Sequence, residues 1–141
     1  MKILVDTTIW SLALRRRRPT TKEQILIDEL SELVQELRAV LIGPVRQEVL
    51  SGIPDPATFE VVKQHLAAFD DLPIAEADYE EAARAFNACR KKGVQGSHID
   101  FLICAVALRH SVAVFTTDKD FMNYAKHLDL DLHKPRRGLQ G

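Results

Sequence analysis

The chain is expected to fold as an α/β domain, a short parallel sheet flanked by helices in three layers. Three observations lead there. Short apolar runs at residues 3–5, 39–42 and 112–115 have the character of strands buried on both faces. Between them lie segments with apolar residues at three- and four-residue spacing, the mark of amphipathic helices. Strands that alternate with helices in this way build a parallel sheet covered on both sides.

Each element has its own signals. Ile3 to Val5 reads as the first strand, and Thr7 to Leu14 as a short helix broken by Arg15, Arg16, Arg17, Arg18 and Pro19. Thr20 with Glu23 forms a capping box for a helix whose buried face is Ile25, Leu26, Leu30, Leu33, Val34 and Leu37. The run 39–42 is a second strand, and Pro44 opens a helix that carries Glu48 and stops at Gly52. Asp55-Pro56 opens another, with Phe59, Val62, Leu66 and Phe69 facing inward. A short strand is expected at 72–75, then a long helix over 77–92 with Gly93 as its stop. Ser97 caps a helix apolar on nearly every side, which should lie in the middle of the fold. A strand at 112–115, a helix at 119–126 and a weak strand at 130–132 complete the domain.

The 141 residues suit a single domain, placed at 1–133, with 134–141 as a flexible tail lacking periodicity. Hydrophobic residues at 46% and charged residues at 28% exclude collagen-like, low-complexity and disordered classes. A net charge of -1 excludes a uniformly basic nucleic-acid coat but not a local basic patch. Cys89 and Cys104 form no CxxC pair, which points away from a disulfide scaffold and toward the cytoplasm. The apolar run before Asp6 is too short for a signal peptide or a membrane span.

In sheets of this kind ligands sit beyond the carboxyl ends of the strands. Asp6 follows the first strand directly, and Asp118 lies just past the 112–115 strand. Asp100 stands in the first turn of the apolar helix, and Glu48 on the helix after the second strand. Each has a plainer reading: Asp6 and Asp118 as helix caps, Asp100 as the partner of Ser97 in a capping box, Glu48 as a solvated acid. Capping does not explain why all four fall toward one edge. Carboxylates gathered closely raise one another's pKa, and a divalent cation relieves the repulsion. Mg²⁺ or Mn²⁺ suits such hard oxygen ligands, and either activates water toward a phosphodiester.

Four stretches resemble the PIN-domain ribonucleases, specifically VapC-type toxins of toxin–antitoxin pairs: Ile3-Leu4-Val5-Asp6-Thr7-Thr8-Ile9-Trp10, Pro44-Val45-Arg46-Gln47-Glu48-Val49-Leu50, the segment from His98 through Asp100 to Ala107, and Val114-Phe115-Thr116-Thr117-Asp118-Lys119-Asp120-Phe121. The resemblance covers nearly the whole chain in order. It implies a Mg²⁺- or Mn²⁺-dependent endoribonuclease with Asp6, Glu48, Asp100 and Asp118 as its acids. Asp6, Asp100 and Asp118 would hold the metal, Glu48 would complete the acidic shell, and Thr7 and Thr116 match hydroxyl positions that orient the acids. The Thr-x-Asp spacing from Thr116 favours Asp118 as the nearer ligand, which leaves Asp120 as helper or spectator. The resemblance further implies an RNA substrate, a cognate antitoxin and a homodimer.

Other features are read more plainly. The Arg15–Arg18 run suits RNA phosphates and a solvated basic turn equally well. Arg136-Arg137 reads as surface, and His98 as a surface imidazole. Trp10 suits the core better than a base-stacking role. No HxxxH pair, GxxxxGK[ST] or GxGxxG occurs, which points away from zinc and from a nucleotide loop. The rival readings are a phospho-receiver-like Mg²⁺-binding signalling domain, which would need an acid pair where apolar residues precede Asp6, and a catalytically inactive PIN-like binding module.

Overall fold

The structure, a computed structural model, describes residues 1–14 and 18–138. In chain order these form β1 (Ile3–Val5), α1 (Thr7–Leu14), α2 (Thr21–Gln35), β2 (Ala39–Val40), α3 (Gly43–Ser51), α4 (Pro56–Leu66), α5 (Glu76–Lys91), α6 (His98–His110), β3 (Ala113–Phe115) and α7 (Asp120–Ala125). The strands pair in the order β2-β1-β3, all parallel, with Leu4 opposite Val40 on one side and Val114 on the other. Successive strand residues face opposite sides of a sheet. Ile3, Leu4 and Val5 are nonetheless all buried, so both faces of the central strand are covered. That is the α/β arrangement expected from the sequence.

Several local signals act as anticipated. Thr20 and Glu23 make a reciprocal capping box on α2, and the Asp55 carboxylate accepts from the Thr58 amide at the start of α4. In α6 every residue from Phe101 to Ala107 is buried, as its all-round apolarity requires. Trp10 belongs to the core: its ring packs on Phe69, and its Nε1 donates to Val5 O at 3.1 Å.

Two expected strands are reduced to single contacts. The 72–75 segment pairs with the sheet only through the parallel bridge between Leu41 and Asp71, with the Leu72 amide donating to Leu41 O. The 130–132 segment makes one bridge, Leu132 to Val114. Both lie at the sheet's margins, where one or two apolar side chains suffice for contact but not for a ladder.

At the chain end, Arg136 and Arg137 pair with acids on and just after α2. The buried Glu29 carboxylate accepts from Arg136 Nε at 3.1 Å and lies 2.5 Å from His133 Nε2. Arg136 Nη1 also pairs with Glu36, and Arg137 with Glu32. Hydrogen bonds from Arg136 and His133 outweigh the burial of Glu29 and hold its pKa below the usual range. Arg136 is a structural cation rather than plain surface, whereas Arg137, 84% exposed, lies at the surface as expected. Their complementarity to the acids of α2 is invisible until both are placed.

Candidate active site

The chain leaves β1 toward β2 on one side and returns to β3 on the other. Such a reversal opens a crevice at the carboxyl end of the central strand. Asp6 stands at that point, buried at 4% exposure, with its amide donating to Phe115 O at the end of β3. Its Oδ2 accepts from Thr116 Oγ1 at 2.7 Å and from Thr8 Oγ1 at 3.0 Å. Thr8 Oγ1 accepts in turn from the Thr117 amide, and Thr116 Oγ1 from the Asp118 amide, each at 3.0 Å. A hydrogen-bonded chain thus ties the exit of β1 to the exit of β3 and fixes Asp6 relative to Asp118.

The other acids hang from the same frame. Thr7 Oγ1 donates to Glu48 Oε1 at 2.5 Å and draws the exposed Glu48 on α3 to the first turn of α1. Asp100 is half-buried in the first turn of α6, where its amide donates to the Ser97 hydroxyl and its Oδ2 accepts from Tyr124 Oη at 2.7 Å. Asp118 Oδ1 accepts from the Asp120 amide at 2.9 Å, a local turn just ahead of α7, whose N-cap is Lys119. A cavity of about 390 Å³ lies beside Glu48, walled by Leu14, Val49 and Ile53.

Electrostatics agree with this placement. Burial pushes the Asp6 carboxyl above the usual range against the pull of the Thr116 and Thr8 hydroxyls, and Asp100 adds a like charge. Burial also raises Asp100, with Tyr124 and Ser97 lowering it and Asp118 repelling it. Among the described residues none of the four acids is ion-paired with a lysine, arginine or histidine.

A divalent cation fits the chemistry of this donor set: hard carboxylate oxygens, one of them buried, with no protein cation ion-paired to them among the described residues. The side chains do not stand as a closed cage, since among the described residues no three acid, histidine or cysteine groups are drawn together tightly enough to hold an ion outright. Water would have to complete the coordination of any ion held here, as is usual for Mg²⁺.

The structure brings Asp6, Asp100, Asp118, Glu48, Thr7 and Thr116 to one edge of the sheet. Asp120 is exposed; its backbone amide donates to Asp118, and its charge lies near enough to act on the Tyr124 hydroxyl. His98 lies at the surface, stacked on Phe86. Arg18 is exposed, and Arg15, Arg16 and Arg17 lie outside the described residues. Sequence reasoning missed Thr8 and Tyr124. Thr8 adjoins Thr7 in a Thr-Thr pair that gives no hint of which hydroxyl serves which acid. Tyr124 is 24 residues from Asp100, and only the packing of α7 brings them together.

The profile described as PIN domain matches residues 3–127. The chain is 30% identical over 123 residues to VapC ribonuclease Mb1587 of Mycobacterium bovis and to ribonuclease VapC11 of Mycobacterium tuberculosis, covering 84% of this chain and 88% of each relative. Among solved structures, FitAcB from Neisseria gonorrhoeae superposes with a TM-score of 0.75 at 23% identity, over 94% of this chain and 97% of its own. VapBC-1 from nontypeable Haemophilus influenzae superposes with a TM-score of 0.73 at 17% identity, over 97% of this chain and 100% of its own. The profile match over most of the chain, with relatives aligned along most of both lengths, establishes that this chain belongs to the PIN-domain family.

Proposed function

We propose that the chain is a divalent-metal-dependent endoribonuclease, the toxin of a cytoplasmic toxin–antitoxin pair. The observation that carries this reading is the set of four acids at the crevice, with buried Asp6 at its centre and no ion-paired cation among the described residues. The relatives named as ribonucleases support the choice of RNA.

Asp6, Asp100 and Asp118 would hold Mg²⁺, with Mn²⁺ able to substitute. When bound, the ion supplies Lewis-acid stabilisation of a phosphodiester and lowers the pKa of a water molecule. The chain's own residues orient and exchange protons. Thr116 and Thr8 fix the Asp6 carboxylate, Thr7 holds Glu48 at the rim, and Glu48 takes a proton from the attacking water. Water oxygen bonds to phosphorus in line, the bond to the 3′-oxygen breaks, and that oxygen leaves as a hydroxyl after protonation from solvent.

The products should therefore carry a 5′-phosphate and a 3′-hydroxyl. The test is RNA cleavage by the purified, partner-free protein, with the ends of the products identified. EDTA should stop the reaction, and Mg²⁺ or Mn²⁺ should restore it. Activity should fall with acidification, because protonated carboxylates release the ion. Cyclic 2′,3′-phosphate ends, or full activity in EDTA, would overturn the chemistry. A folded protein with no cleavage under any metal would favour the inactive binding module.

The partner is read from charge. An antitoxin segment that places an arginine or lysine among the carboxylates would neutralise them and close the crevice. Expression of the chain alone should then arrest growth of its host, and co-expression of the adjacent gene's product should restore it. Harmless overexpression of folded, nuclease-active protein would count against the toxin role. A homodimer belongs to the same reading, and light scattering of the free protein checks it.

A further inference from the structure

We infer that Tyr124 is a positioning residue for the acid site: its hydroxyl, seated in a slot left open by Gly96, holds the Asp100 carboxylate turned toward Asp6 and Asp118. This rests on the metal-site reading above and adds to it a residue that none of the acid motifs contains.

The observations are local and specific. Tyr124 is fully buried on α7, its ring tilted against Phe101 at 4.8 Å and edge-on to Phe121 at 5.1 Å. Phenylalanine would fill this position without a polar group to satisfy. A buried phenol needs a partner, and among the described residues Asp100 Oδ2, at 2.7 Å, is the one acceptor Tyr124 has. Gly96 makes room for it. A β-carbon there would collide with Tyr124 Oη and would sit 2.7 Å from its Cζ and 2.9 Å from Phe101 Cε2. Gly96 does not have the positive φ found at Gly93 and Gly138, so the glycine serves clearance and not an unusual backbone conformation. With Oδ2 accepting from Tyr124 and Ser97 also hydrogen-bonded to the carboxylate, its rotation is restricted, and Tyr124 is the partner that reaches it from α7. Removing a partner that orients a metal ligand in this way costs about 10–100-fold in metal affinity.

The experiment measures Mn²⁺ binding directly, by calorimetry and electron paramagnetic resonance, on the full partner-free chain. Tyr124→Phe should retain the fold and melting cooperativity but bind Mn²⁺ about 10-fold more weakly. Cleavage should recover at high Mn²⁺, which separates lost positioning from a damaged fold. Phe121→Leu, which loosens the same ring packing and leaves the hydroxyl in place, should bind Mn²⁺ as the unaltered chain does. Gly96→Ala displaces the hydroxyl without removing it and should weaken binding like Tyr124→Phe. Unchanged Mn²⁺ affinity in folded Tyr124→Phe or Gly96→Ala, or equal weakening in Phe121→Leu, would overturn the inference alone. No Mn²⁺ binding by the unaltered chain would overturn the metal site and this inference together.

Discussion

Asp6→Asn should abolish RNA cleavage, by more than about 100-fold, while making the metal-free protein more stable. The two effects share one cause. Asp6 is buried, and burial holds its carboxyl above the usual range. An acid whose pKa is raised by folding destabilises the native state once the pH exceeds its unfolded value of about 3.9, and fully so above the folded value. Asparagine keeps the shape and still accepts from Thr116 and Thr8, but carries no charge to desolvate. The melting temperature of the metal-free variant should rise at neutral pH, and the difference should vanish under acid conditions where Asp6 is protonated in both states. Asp100→Asn and Asp118→Asn should be equally inactive, whereas Asp120→Asn should be mild, since its side chain is exposed and its one hydrogen bond to the acids is made by its backbone amide. A thermal melt and a cleavage assay on the same preparations check all four. Wild-type activity in an Asn variant would remove that residue from the mechanism, and a stronger effect at Asp120 than at Asp118 would exchange their roles.

Arg109→Ala should be among the costly changes outside the site, with a melting temperature roughly 5–10 °C lower. Arg109 grips Asp78 with two bonds, Nε to Oδ1 at 2.7 Å and Nη2 to Oδ2 at 2.9 Å, and also donates to Pro73 O. The Asp78 side chain is 2% exposed, so truncating its partner strands a buried carboxylate with only the Ala75 amide. Breaking a fully buried pair costs about 3–5 kcal/mol. The cost here is smaller because Arg109 is 41% exposed, which lets water into the gap. The Arg109 hydrogen bonds hold Asp78 below the usual range. Its contribution is therefore complete above the unfolded pKa of about 3.9 and is lost as pH falls from there through the lower folded value. Urea denaturation at neutral pH and in acid measures both. The pair clamps α5 to α6, whose opposite end carries Asp100, so cleavage measured well below the melting temperature should be nearly unchanged.

The elements that were legible in the sequence were those whose cause is local. The 20–23 capping box, the proline at the start of α4 and the all-apolar run of α6 each act through neighbours within four residues. The strand ends located Asp6 and Asp118 because a side chain just past a strand has few places to go. Asp78 with Arg109, Glu29 with Arg136 and Asp100 with Tyr124 were not legible. Each pair joins positions 24 to 107 residues apart. No pattern of spacing encodes such a meeting.

By itself, then, the sequence determined the alternation of buried strands and helices, and the carboxylates that gather at one edge of the sheet. Periodicity and capping are short-range physics and are written into consecutive residues. The tertiary structure alone decided which hydroxyl serves which acid: Thr7 for Glu48, Thr8 and Thr116 for Asp6, Tyr124 for Asp100. It also decided that Arg136 pairs with Glu29 on α2, and that Asp6 is buried enough for its charge to be costly. These depend on how helices distant in sequence come to rest on the sheet, where a hydroxyl's partner is set by a few tenths of an ångström of packing rather than by its neighbours in the chain.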